Sequence, residues 1–173
     1  MMEKLGLTEL YNYIEGMGLA KDIPLEEFKT LFKRAMKDLS DIENEEEMKV
    51  SPNQVPTYLF EILYQKGITL KIDWKWVPED LLEGIKIFVP SLEYKITDGH
   101  FDDVNKLWHV IFKINGVGVD ALVPQENPYE LMERLNPFVE AKIGRTFVEF
   151  DDGTDSYTFI LIPKNLLNPV SPR

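Results

Sequence analysis

A chain of 173 residues, 44% hydrophobic and 12% aromatic, is long enough to bury its own core and is not disordered over long spans. It has no cysteine, which excludes a disulfide framework, a thiolate zinc site and a Cys nucleophile. Its net charge of −11, from 19 basic and 30 acidic side chains, is the opposite of a nucleic-acid footprint and suits a basic protein partner.

The opening residues MMEKLGLTEL lack a basic stretch leading into an apolar one, so no signal peptide is expected. No apolar run approaches the roughly 20 residues of a membrane span. The expectation is a cytoplasmic protein with neither membrane nor nucleic acid as partner.

Thr8–Met17 reads as a short helix with Thr8 as its N-cap and Leu10, Tyr13, Ile14 and Met17 on one side. Pro24 opens a longer helix over 24–39, with Glu26 and Glu27 in its first turn and lysines later, in line with the macrodipole. Its apolar stripe is Leu25, Phe28, Leu31, Phe32, Ala35 and Leu39. Asp41–Glu47, DIENEEE, is the only charge run. A solvated loop explains it most simply. As a patch for a basic partner, its binding residues are Glu43, Glu45, Glu46 and Glu47.

Residues 56–66 fit a helix closed by Gly67. The period then changes to two. Ile68, Leu70, Ile72, Trp74 and Trp76 alternate with polar residues, which predicts a nine-residue strand with both tryptophans on one face. Those tryptophans cap a core or line a pocket. Pro78–Gly84 suggests a helical turn or two. Ile85–Val89 and Leu92–Ile96 suggest short strands broken at Pro90, and Thr97–Asn105 a polar loop.

Leu107–Pro124 carries the strongest local signal. Two apolar runs flank Asn115-Gly116, the pair that a two-residue hairpin turn requires. That turn pairs Ile114 with Val117, Phe112 with Val119, Val110 with Ala121 and Trp108 with Val123, an apolar set on one dry face. Asn127, Pro128 and Glu130 then open a helix over 128–143, with a break expected near Pro137 and an end at Gly144. Arg145–Phe150 and Ser156–Pro163 are the last strands, around the turn DDGTD, and KNLLNPVSPR is a loose tail.

The order is an α+β pattern: a mainly antiparallel sheet of about five to seven strands, with helices from the N-terminal third and from 128–143 packed on it. It is expected to form one domain, with a helical part over 1–66 and a sheet-rich part over 67–163.

Chemistry is sparse. His100 lies near Asp98, Asp102 and Asp103, a weak candidate for a divalent metal or an oriented imidazole, in a spacing that matches no metal motif. His109, opposite Leu122 in the hairpin, suits half-buried packing. Asp151, Asp152 and Asp155 around Gly153 make a turn rather than a calcium loop, because a strand follows. Gly116-x-Gly118 has no Gly-Lys-Ser/Thr after it, and none of the five serines sits in Gly-x-Ser-x-Gly.

No catalytic residue and no cofactor is expected. The leading expectation is a non-catalytic acidic interaction domain, by class like an immunity protein or an antitoxin that inhibits a basic protein. The alternatives are a metal-dependent hydrolase built on the His100 loop and a small-ligand binder with a pocket near Trp74 and Trp76.

Overall fold

The structure is a computed structural model that describes residues 3–164. The expected tail from Asn165 onward lies outside the described residues. The chain divides into two compact units. One comprises the chain up to Thr69 with Phe150–Thr154; the other comprises Leu70–Glu149 and Asp155–Lys164.

The first unit is helical: α1 (Leu7–Gly16), α2 (Leu25–Ser40) and α3 (Val55–Lys66), with single 3-10 turns at Glu45–Glu47 and Pro52–Gln54. α2 packs on α1 and α3 through Phe28, Leu31, Phe32, Ala35 and Met36, all buried. Leu25 and Leu39, at the ends of the expected stripe, are exposed, so the buried stripe is about one turn shorter at each end. Thr8 does not cap α1. Gly6 holds the cap position, and its N–H donates to Glu9 Oε2 at 2.9 Å. A glutamate in the first turn thus reaches back to the backbone, the reverse half of a capping box. α3 closes as expected on Gly67, at φ 76°.

The second unit holds β1 (Thr69–Ile72) from Leu70 on, α4 (Pro78–Phe88), β2 (Tyr94–Asp102), β3 (Leu107–Ile114), β4 (Val117–Pro124), α5 (Pro128–Ile143), β5 (Arg145–Glu149) and β6 (Tyr157–Pro163). The mixed helix-and-strand class is as the pattern implied, but the single sheet is not. The six strands form two three-stranded sheets, ordered β1-β6-β5 and β2-β3-β4. Periodicity assigns a strand its faces and leaves its partners open, and β1 pairs with the last strand in the chain.

The β3–β4 hairpin has the predicted register at all four apolar pairs. Asn115 and Gly116 sit at φ 47° and 81°, the left-handed region that this turn demands. Asn115 also anchors the turn to the start of β2: its N–H donates to Glu93 O at 2.8 Å, and its Oδ1 accepts from Glu93 N at 3.0 Å. The dry face ends one pair early, since Val117 is 53% exposed.

Four further expectations are corrected. The strand expected over 68–76 stops at Ile72, because Asp73 Oδ1 accepts from Lys75 N at 2.8 Å and Asp73 O from Trp76 N at 3.1 Å, closing a turn. Ile85–Val89 is no strand: α4 runs through to Phe88, burying Leu81, Leu82 and Ile85. A short apolar run fits helix and strand alike, and here the proline start and the Asp80 cap on Val77 N decide for helix. Thr97–Asn105 is not a loop, because β2 continues to Asp102 through a bulge between Ile96 and Asp98, paired with β3 throughout. Finally, α5 passes through Pro137 unbroken. Pro137 and Glu133, whose carbonyl lacks its usual donor, are both exposed, so the missing bond falls on the solvent side of the helix, where it costs least.

Candidate functional site

The acid run is partly used by its own unit. Glu45 bonds Lys33, and Glu43 pairs with Lys37 at 3.0 Å, tying the segment after α2 back onto that helix. The Lys33 ammonium holds the Glu45 carboxyl below the ordinary carboxylate range, and the Glu43 carboxylate raises the Lys37 ammonium. Glu46 and Glu47 remain exposed, with Glu47 Oε1 accepting from Asn44 Nδ2 at 3.3 Å. The patch therefore offers a partner less charge than its sequence suggests.

Trp74 and Trp76 do not share a face. The Asp73 turn sends Trp74 out, 54% exposed with Lys75 over its ring at 4.7 Å. Trp76 is 0% exposed in the core, and its Nε1 donates to Gln125 O at 2.7 Å. Neither lines a cavity described here. The tryptophan that does so is Trp108, in a pocket of about 260 Å³ with Val77, Pro78, Glu79, Ile96, Gly99 and Val110. Its indole nitrogen is buried without a hydrogen-bond partner. That nitrogen is sealed from a water-sized contact, so the pocket presents apolar walls and one carboxylate at Glu79.

The histidines meet on the outer face of the β2-β3-β4 sheet. The β2 bulge puts Asp98, His100 and Asp102 on one face, and His100 pairs with His109 across the strands. Their rings pack edge to face, 5.1 Å apart. His109 Nε2 lies 2.8 Å from Asp120 Oδ1, a diagonal partner that the direct cross-strand pairing does not name. Asp102 accepts from Val104 N, Asn105 N and Asn105 Nδ2, and Asp103 pairs with Lys106 at 3.3 Å. The Asn105 side chain, with those backbone donors, pulls the Asp102 carboxyl below its ordinary range. Asp102 and Asp103 thus serve the turn between the strands. Among the described residues no three His, Asp or Glu side chains gather as a metal site would require.

A second concave feature lies beside β1. A groove of about 560 Å³ runs between β1 and α4, lined by Leu70, Ile72, Gly84 and Ile87, by the carboxylates Asp73, Asp80 and Glu83, and by one cation, Lys71. Asp80, Glu83, Gly84 and Ile87 recur at the spacing of one helical face. Gly84 makes the geometry: a Cβ there would lie 2.4 Å from Leu70 Cδ1, so only glycine lets α4 approach β1 this closely without displacing Leu70. Ile87 is 77% exposed, the largest apolar exposure on that helix. The acids are felt nearby. Burial, then the carboxylates of Glu83 and Glu79, raise the Tyr94 phenol above its ordinary range.

Sequence reasoning missed this groove for a local reason. The spacing of 80, 83, 84 and 87 is visible in PEDLLEGIKIF, but reading a strand from Ile85 cut the helical face in half. Compared with family models, with curated proteins and with solved structures, the chain finds no match.

Proposed function

We propose that this chain is a non-catalytic interaction domain that binds a basic segment of another protein. The observation that carries this reading is the groove beside β1, whose apolar floor is flanked by three carboxylates, Asp73, Asp80 and Glu83, against one cation, Lys71. Apolar floors with charged rims are the usual anatomy of a peptide site, where burial supplies affinity and charge selects the partner. The overall charge of −11 acts in the same direction, speeding encounter with a cation. An acidic inhibitor that covers a basic protein is the form of this function that the composition favours.

Fluorescence anisotropy with two labelled six-residue peptides, alternating Lys-Val and alternating Glu-Val, tests it. Raising salt from about 0.1 M to about 1 M shortens the screening length from about 10 Å to about 3 Å. The Lys-Val peptide should bind at the lower salt and weaken at least tenfold at the higher one, and the Glu-Val peptide should not bind. Equal binding of both peptides would reject the reading.

A further inference from the structure

From the Trp108 pocket we infer a separate small-molecule site, which takes an amine carrying one ring-sized apolar body. It shares no lining residue with the groove beside β1, so it stands or falls independently of the peptide reading.

The pocket is a side chain missing from the sheet. β2 and β3 pair Phe112 with Ile96, Val110 with Gly99 and Trp108 with Phe101. Directly paired residues project to one face, so all these positions lie on the face of the hairpin's dry set. Gly99 alone among them brings no side chain. Its neighbours do not close over the gap: a Cβ added there would meet only Ile96 Cγ2 within 4 Å, at 3.8 Å. The residues that open α4, Val77–Glu79, complete the walls.

Polarity is graded along the pocket. Pro78 and Val110 are buried, Val77, Ile96 and Trp108 are half-buried, and Glu79 and Gly99 are exposed. Apolar surface thus lies deep, and the single carboxylate stands at the mouth. No lining residue is basic, and among the described residues no lysine or arginine pairs with Glu79. A ligand whose ring sinks against Trp108 and Val110, with its ammonium left at Glu79, covers the apolar walls without burying a charge. An anion of the same shape would meet Glu79 and the net charge of −11. The volume of about 260 Å³, at about 30 Å³ for each water-sized group, holds on the order of nine of them. That is one ring with a two-carbon arm ending in nitrogen.

The probes are 2-phenylethylamine and its neutral analogue 2-phenylethanol, titrated into the full chain by calorimetry and amide NMR. The amine should bind with a dissociation constant of about 1 mM or below and shift the Trp108 indole N–H. The alcohol should bind about three- to fivefold more weakly, the worth of an exposed charge pair. Glu79→Gln should bring the amine down to the level of the alcohol and leave the alcohol unchanged, a split that general damage to the fold would not produce. Gly99→Leu fills the gap and should weaken both probes at least about tenfold. Gly99→Ala, which has room for its Cβ, should weaken both by a smaller step and serves where the leucine variant does not fold. Alcohol and amine binding equally tightly would overturn the proposal. So would undiminished binding in folded Gly99→Leu, a Trp108 indole signal unmoved at saturation, or no saturable binding of the amine.

Discussion

Replacing Asn136 by alanine removes the clamp on β5, where its Nδ2 donates to Phe147 O and its Oδ1 accepts from Phe147 N, and tests how that edge is held. Two hydrogen bonds of 2.9 Å are lost at once, in a part-buried position. Each contributes about 1 kcal/mol net, and the Phe147 N–H and C=O that remain can be only partly hydrated. The expected loss is about 2 kcal/mol, which for a chain of this size lowers Tm by about 4–8 °C. Thermal and urea unfolding followed by circular dichroism measure it. Asn136→Asp separates the two bonds. The carboxylate still accepts from Phe147 N but repels Phe147 O, so this variant should regain stability as pH falls and the carboxyl acquires a proton to donate. A change of under about 0.5 kcal/mol in Asn136→Ala, the size of an ordinary surface substitution, would refute the clamp.

The two sequence-neighbouring tryptophans should behave oppositely. Trp76→Phe loses the bond to Gln125 O and opens space in the core, costing about 2–3 kcal/mol, whereas Trp74→Phe stays within about 0.5 kcal/mol by urea midpoint. Gly116→Ala forces a side chain to φ 81°, which should cost about 1–2 kcal/mol and loosen the hairpin in amide exchange. The raised Tyr94 phenol contributes to the loss of stability at alkaline pH. The folded chain holds a proton that the unfolded chain releases near pH 10, so stability declines as pH rises from there through the folded value. Tyr94→Phe should flatten that decline, and Glu83→Gln should bring the phenolate absorbance of Tyr94 in at lower pH. An unchanged titration in Glu83→Gln would show that the groove acids exert no field there.

What could be read from the sequence follows the range of the interactions involved. The Asn-Gly hairpin needed only its own residues, so its register was legible to the pair. α2, α3 and α5 were legible through their proline starts and apolar stripes, and α3 and α5 also through their glycine ends. β2 was legible only at its start, where the strand expected over Leu92–Ile96 overlaps it; its polar continuation to Asp102 becomes a strand only when β3 pairs with it, and its bulge changes which residues face outward. β1 was overextended because its alternation continues into the Asp73 turn, where one side-chain oxygen ends the strand. The site was less legible still. The acid run was visible, but the lysines that pair with Glu43 and Glu45 lie on the preceding helix. His109 finds Asp120 diagonally, and Asn136 reaches Phe147 across a chain reversal. The groove depends on Gly84, whose meaning emerges only when Leu70 is placed against it.

Amide NMR of the isotopically labelled full chain, titrated with the Lys-Val peptide at about 0.1 M salt, tests the central claim most directly. The account predicts shifts concentrated at Leu70–Asp73 and Asp80–Ile87, saturating together. Shifts confined to Asp41–Glu47, or none at all, would contradict it.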